Sequence, residues 1–490
     1  MAKLKRASTA ILCLLAALAL LAGCGNGAAP AGSGAASDES GLKAVTIKFQ
    51  TIGDMQSDMP RIVQAVNDYL KSIGRPYSVE LAIEGWGTYN DVVNLMLNTG
   101  EKFDVVFTAN WAASYLTNAP NGVFADLGPY LEKNPEIEQI LTADFMNASR
   151  IGGINYALPT NKEKARQIGW LLRKDFVDQM GLDLSTVKSN EDLEPWFIKA
   201  KEEFNVWVYP SFVPSNYMYD RIEEPIIGME TEDGSNTVLA VDLTDRFKDA
   251  VRLYNKWFKL GLINPDLNRE SQVQTEFASG KYLGATYQLK PGKAAEEAAS
   301  IGYDLVQVEL NEPEIASSET TGAMLAIPAA SENKNEAFDF IKLLYTDEKI
   351  LNLFVWGEDG KDYNTVSPGI IELIPDSGWA WGQGWTMGNQ FNNYLTTAED
   401  PEKWKKFEEF NEAGRPVPSL GFIPDTTDTE MQTAIKAMKA VRENYTDLFF
   451  GYVDDIDGSF AKLESDYKAA GMDGLLAAYQ KQFDEWKAAQ

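Results

Sequence analysis

Three short stretches gather side chains with specific binding chemistry: Gln50-Thr51-Ile52-Gly53-Asp54, Glu84-Gly85-Trp86 and Thr108-Ala109-Asn110-Trp111. They contribute two acids, several amides and hydroxyls, and two tryptophans. Carboxylates accept hydrogen bonds, and carboxamides both accept and donate. An indole ring offers a rigid apolar face with little rotamer freedom to lose. Those groups suit a ligand with many hydroxyls and flat C–H patches, as a sugar has. Asp54, Glu84, Trp86, Asn110 and Trp111 are therefore candidate ligand contacts. A later run, Ser377-Gly378-Trp379-Ala380-Trp381-Gly382-Gln383-Gly384-Trp385, puts tryptophans between glycines, the composition of a loop that can present rings. Trp379 and Trp381 share a side if the run is extended. Trp385, Tyr287 (after Leu283-Gly284-Ala285-Thr286) and Asn389 complete the candidates. Each has a plainer alternative: the rings fill a core, Asp54 and Glu84 are solvated or capping residues, and Asn389 is structural.

The flanking pattern explains why these stretches matter. Val45, Ile47 and Phe49 alternate with polar residues, as in a half-buried strand. Pro60 suits a first helical turn, Ile62, Val66, Tyr69 and Ile73 share a helical face, and Gly74 can close it. Val79, Leu81 and Ile83 alternate again, and Thr88 to Asp91 has the form of a capping box before Val92, Leu95 and Met96. Phe103, Val105, Val106 and Phe107 read as a short buried strand. The order β-α-β-α-β predicts a parallel sheet with helices on both faces. In open α/β sheets ligands bind beyond the carboxyl ends of the strands, where the three stretches fall. Further on, the spacing predicts a helix over 245–260, a buried strand at Met324-Leu325-Ala326-Ile327 followed by a helix over 336–345, a Thr427/Glu430 capping box before Met431, Ile435, Met438 and Val441, and an amphipathic segment over 475–486.

Composition narrows the function. The 490 residues suffice for two or three domains or two large lobes. The net charge of −28 disfavours nucleic acid and anionic lipid headgroups. Histidine is absent, which excludes Ser-His-Asp and Cys-His catalysis and His-ligated zinc. Cysteine occurs only at 13 and 24, so no disulfide framework is available. No catalytic residue, cofactor or metal site is expected. Asp455, Asp457, Gly458 and Glu464 match part of a calcium loop, but the first ligand position would be Val453, which cannot coordinate.

Lys3, Lys5 and Arg6 precede an apolar run that ends Leu21-Ala22-Gly23-Cys24. A cationic start, a short apolar segment and small residues before a cut mark a secretory leader, and the run falls short of the ~20 residues a membrane span needs. The cysteine at the cut resembles the lipobox of bacterial lipoproteins. That resemblance implies a leader over 1–23, a diacylglyceryl group on Cys24, and attachment to the outside of the bacterial cell membrane. Its loss of Lys3, Lys5 and Arg6 takes the net charge to −31. Two acyl chains, at about 0.8 kcal/mol per buried CH2, hold such a domain firmly. The Gly/Ala/Ser-rich stretch over 25–41 is a flexible tether with a reach of roughly 20–25 Å.

The chain as a whole resembles the family 1 extracellular solute-binding proteins of carbohydrate ABC importers, in the subgroup with the DUF3502 C-terminal region. The likeness rests on Thr88-Tyr89-Asn90-Asp91, Gly100-Glu101-Lys102-Phe103-Asp104-Val105 and Gly153-Ile154-Asn155-Tyr156-Ala157-Leu158-Pro159. It continues in Met387-Gly388-Asn389-Gln390, Pro418-Ser419-Leu420-Gly421-Phe422, Ala470-Gly471-Met472-Asp473 and Gln480-Lys481-Gln482-Phe483, with Ile423-Pro424 as a departure. The resemblance implies a type II, two-lobe periplasmic-binding-protein-like α/β fold with the ligand in the cleft between lobes. Lobe one is expected over 45–157 and 320–355, and lobe two over 158–319 and 356–490, the last part DUF3502-like. It further implies a monomer that captures a sugar or oligosaccharide by closure and docks on ABC permease subunits. The segment after the third strand often contacts ligand in such proteins, which favours Asn110 and Trp111. Two other roles suit the same features: an exported glycan-active enzyme, and the ligand-binding subunit of a membrane sensor.

Overall fold

The computed structural model describes residues 41–210, 219–230, 234–267 and 273–489. The leader expected over 1–23, the lipid site expected at Cys24 and the expected tether up to residue 40 lie outside them. The alternation around Val45 becomes the strand Thr46–Ile52, with Ile47 and Phe49 buried. The second alternation becomes Ser78–Glu84, and the short apolar run becomes Val105–Thr108, buried throughout. These three run parallel with Thr46–Ile52 in the middle. Two further strands extend the sheet: Met324–Ala326 beside Val105–Thr108, then Ala157–Pro159. Met324–Ala326 is antiparallel to both neighbours, so the sheet is mixed where the sequence predicts a parallel one. The reason is topological. The chain leaves this half at Ala157–Pro159 and returns along Met324–Ala326, and two crossing segments side by side must run in opposite directions.

A second sheet, in the order Leu305–Glu309, Gln167–Arg173, Tyr282–Leu289, Trp207–Tyr209, forms the other half. Both its faces are covered: Trp170 and Leu172 face one core, while Leu171, Ala285 and Tyr287 face another. Beside it lies an antiparallel meander, Tyr219–Glu223, Ile227–Glu230 and Val238–Ala240. That meander shares a core with the C-terminal helices Thr429–Glu443, Ile456–Ala469 and Met472–Ala488.

The helices follow the apolar periodicity. Met59–Ser72 has proline in its first turn and buries Ile62, Val66 and Leu70. Asp245–Lys259 and Lys334–Thr346 match their expected spans to within two residues. Two capping boxes do not form. The Thr88 hydroxyl turns back to the Glu84 carboxylate and the Gly85 carbonyl and makes no cap bond. Downstream the cap is Asp428, which accepts from the backbone N–H of Glu430 and Met431. An aspartate one residue after the threonine is the stronger acceptor for these donors. The acidic stretch near 455 also serves helix ends: Asp455 caps Ile456–Ala469 through the Gly458 N–H, and Asp457 pairs with Arg252 at 2.7 Å.

Packing divides the last third of the chain differently from the expected lobe boundary. Trp379, Trp381 and Met387 belong to the core of the first sheet. Phe422 and the C-terminal helices pack with the second half.

Candidate functional site

The chain leaves Val105–Thr108 through a tight turn in which Ala113 and Ser114 adopt positive φ, at 47° and 35°. Hydrogen bonds from Ala109 N–H to the Ala112 carbonyl and from the Thr108 hydroxyl to the Ala113 carbonyl hold that turn. It carries Asn110 and Trp111 clear of the core. Trp111 remains 49% exposed, yet its indole N–H donates to the Gly322 carbonyl at 2.8 Å, which fixes the ring. Trp86, at the end of Ser78–Glu84, is 41% exposed. It stacks on Trp385, with centroids 6.0 Å apart and planes 17° from parallel. Trp385 also meets Trp111 at 6.4 Å and sits edge-on to Phe107 at 6.2 Å. Three indoles from three distant segments thus form one aromatic wall over Phe107. Clustered exposed aromatic surface is unfavourable in water, which makes this wall a candidate binding face.

Opposite the wall is a cavity of about 600 Å3, lined by Asn110, Trp111 and Trp385 on one side and by Arg166, Ile168 and Gln288 among others on the other. It also carries four basic groups (Lys162, Arg166, Arg221, Lys290) and four acidic ones (Glu163, Glu224, Glu296, Glu319). The cleft is charge-balanced inside a strongly acidic protein. Three lining atoms lack a hydrogen-bond partner among the described residues: Asn110 Oδ1, Glu163 Oε2 and Arg166 Nε. Buried polar atoms are rarely left so, and a ligand or water normally satisfies them. Arg166 and Asn110 approach each other through Ser318. The Arg166 guanidinium donates to its hydroxyl at 3.2 Å, and the Asn110 amide donates to its carbonyl at 3.4 Å.

The bacterial extracellular solute-binding protein family model matches residues 56–349. The chain belongs to that family. A domain of unknown function, DUF3502, matches residues 418–488. A carbohydrate ABC transporter substrate-binding protein of Streptococcus pneumoniae serotype 4 is 25% identical, over 98% of each chain. The crystal structure of the N-glycan transport solute binding protein of Streptococcus pneumoniae superposes with a TM-score of 0.81 at 22% identity, covering 90% of this chain and 98% of that one. A solute-binding protein of Bifidobacterium longum infantis that binds HMO superposes at 0.62 and 15% identity, covering 91% and 99%. The two-lobe α/β fold is common to them. The solute-binding fold places its cleft between the two sheets, where the aromatic wall stands.

Within this solute-binding protein the predicted residues divide. Asn110, Trp111 and Trp385 line the cavity, and Trp86 backs Trp385. Trp379 and Trp381 are 1% and 4% exposed and fill the first core, with the Trp379 indole donating to the Phe354 carbonyl at 3.0 Å. Tyr287 also fails to reach the cleft. It pairs with Gly169, while its neighbour Gln288 pairs with Ile168, and the cavity is lined by Ile168 and Gln288. Successive strand residues point to opposite faces, so Tyr287 lies in the core on the far side. Asp54 is exposed, Glu84 is engaged by Thr88, and Asn389 accepts from the Asn161 side chain at 2.8 Å and the Phe391 N–H at 3.3 Å; none lines the cavity.

The charged lining was missed because the segment over 161–166 reads as a solvated polar link. Its position directly after the crossing strand Ala157–Pro159 is the signal that marks it. Glu163 lies between Lys162 at 3.5 Å and Lys290 at 3.2 Å, and Lys290 also meets Glu296 at 3.2 Å. Burial pushes the Glu163 carboxyl up, but Lys162 and Lys290 outweigh it and hold it down at about 2. The ordinary glutamate value is about 4.3, so the folded state binds this proton more weakly than the unfolded chain does. Stability from Glu163 is complete above about pH 5 and is lost as the pH falls toward 2. For a group this enclosed it amounts to roughly 3 kcal/mol. Thermal melts from pH 6 to pH 3 should show a steeper fall in stability for wild type than for Glu163→Gln, which keeps the other lowered carboxyls such as Glu296 and Glu358; identical slopes would remove Glu163 from this role.

Proposed function

We propose that this protein is a membrane-tethered receptor that captures an uncharged oligosaccharide between its lobes and delivers it to an ABC importer permease. The observation that carries the reading is the indole wall of Trp86, Trp385 and Trp111, with unpartnered donor and acceptor atoms on the cavity it borders. Pyranose rings stack their C–H faces on such a wall, and their hydroxyls satisfy atoms such as Asn110 Oδ1, Glu163 Oε2 and Arg166 Nε. The balance of charge in the cleft favours a neutral ligand. Relatives support the substrate class: one is a carbohydrate ABC transporter substrate-binding protein, and the N-glycan transport protein has structures with Man1GlcNAc and Man5GlcNAc.

Capture proceeds by lobe closure, in which ligand touching both walls favours the shut state. The same relative superposes on this chain at 0.81, and at 0.73 and 0.70 in its two sugar complexes. Because the protein is the same in all three, that spread supports a change in lobe arrangement, and the present chain superposes better on the first than on either complex. The lobes divide at the crossings near 159 and 323, with 379–387 assigned to lobe one. Cys24 carries the lipid that holds the receptor outside the cell membrane.

Native mass spectrometry of the full-length protein, extracted in detergent from the membranes where it is made, tests both parts. The protein should begin at an acylated Cys24 and bind one glycan per molecule from a panel of neutral oligosaccharides that includes Man1GlcNAc and Man5GlcNAc. No adduct anywhere in the panel would sink the receptor reading, and an unmodified or uncleaved N-terminus would sink the anchor.

A further inference from the structure

We infer that the ligand cleft continues past Glu296 into a second compartment that holds further sugar units of the same uncharged glycan. This rests on the oligosaccharide reading and adds to it the length of ligand the protein grips. The compartment has a volume of about 270 Å3. Pro291, Gly292 and Ala295 form one side of it, at the start of the helix Lys293–Ile301, and Ala398 lies across from them. Glu296 lines both this compartment and the main cavity, so the two spaces adjoin at that side chain. A second feature joins the two spaces. Lys290 of the main cavity and Lys403 of the compartment both hold their ammonium groups 5.7 Å from the centre of the Phe407 ring. The main cavity alone is of ordinary ligand size, and with the compartment the space stays within the ~300–1,000 Å3 typical of ligand sites.

The lining chemistry selects the occupant. Pro291, Ala295 and Ala398 present small apolar surfaces on which a C–H face can rest. The charges around them are paired: Lys403 with Glu399 at 2.6 Å, Lys406 with Asp400, and Glu296 with Lys290 and Lys293 at 3.2 and 3.0 Å. Such pairs still offer acceptor lone pairs and ammonium protons to hydroxyls, yet exert little net pull on an ion. No group of three metal-ligating side chains occurs among the described residues, so a cation is the poorer fit. The occupant that suits both the apolar floor and the paired rim is the continuation of a neutral sugar chain already seated on the tryptophans.

The test compares short and long members of three neutral series by isothermal calorimetry: Man1GlcNAc with Man5GlcNAc, maltotriose with maltoheptaose, and xylotriose with xylohexaose. Wild type should bind the long member of its preferred series more tightly. Ala295→Trp and Ala398→Trp each place a large ring in the compartment from an exposed position, where folding is little affected. In both, affinity for the short member should stay within about twofold of wild type, while affinity for the long member should fall about tenfold, to the short member's level. Equal affinity for short and long sugars in wild type, or an unchanged long-to-short ratio in both variants, would overturn the compartment and leave the receptor reading standing. A wild type that binds none of the six would overturn both.

Discussion

Trp385→Ala should weaken glycan binding by about two orders of magnitude and leave the protein folded. The ring lies at the centre of the wall, stacked on Trp86, tilted against Trp111 and edge-on to Phe107. Its removal deletes one stacking surface and frees the neighbouring pair to reorient. A central aromatic anchor typically contributes 2 kcal/mol or more to binding, and a hundredfold change is about 2.7 kcal/mol. The cost to folding should be smaller, because the ring is only partly buried and its indole N–H bonds to Gln383 within the same loop, at 2.8 Å. Trp379→Ala provides the contrast. That ring is enclosed, bonded to the Phe354 carbonyl, and its truncation should cost about 3–5 kcal/mol of folding stability. Calorimetric titration and urea melts of both variants separate the roles. Full binding by Trp385→Ala, or loss of its cooperative unfolding, would contradict the assignment.

These two tryptophans also show what the sequence could reveal. Ser78–Glu84 was located by its period of two, which one buried face leaves, and Val105–Thr108 by a short apolar run buried on both faces; their ends carry Trp86, Asn110 and Trp111. The run over 377–385 carried no such period. Glycine-flanked tryptophans suggested a loop, and most of the run is one, but the contacts that bury part of it come from far away. A Cβ at Gly53 would lie 2.6 Å from the Trp381 indole nitrogen, a close approach that ties the end of the first strand to this loop and encloses the ring. Nothing local to 381 announces that contact.

Tyr287 fails for another reason. The second sheet is covered on both sides, so its strands are apolar on both faces, and hydrophobicity cannot say which face continues into the cleft. Choosing the aromatic residue over Gln288 put the side chain on the wrong face by one position. The charged lining had the opposite difficulty. Lys162, Glu163 and Arg166 resemble any hydrophilic connection until the fold places Lys290 and Glu296 beside them. In a chain of net charge −28 the individual ions carry no signal, and only their pairing in space does.

The C-terminal region gives the second large effect. Asp242 is fully buried, and the Arg442 guanidinium donates to both its carboxylate oxygens, at 2.8 and 3.2 Å. The Tyr467 hydroxyl donates to the same carboxylate at 2.7 Å. Burial and the Asp242 charge together push that phenol well above its ordinary value, so it remains a proton donor throughout the range in which the protein is folded. One carboxylate therefore joins three elements: the turn after the meander, the helix Thr429–Glu443 and the helix Ile456–Ala469. Asp242→Ala strips the countercharge from a buried guanidinium and an acceptor from a buried hydroxyl. Breaking such a pair from one side costs about 3–5 kcal/mol, a large share of the 5–15 kcal/mol that holds most domains together. Replacing the group as a unit, with Asp242→Leu, Arg442→Met and Tyr467→Phe, should recover much of that loss, since no unpaired charge remains. Urea unfolding followed by circular dichroism measures both. Asp242 lies outside the cavity lining, so glycan affinity measured well below the melting temperature should stay within about twofold of wild type. A loss under 1 kcal/mol would show that the ion pair does not hold these helices. Unfolding of the 418–488 region as a separate early transition in wild type would show that its helices do not share one cooperative core with the meander, against the packing of Met438, Leu463 and Tyr479 beside Ile227 and Met229 in a single cluster.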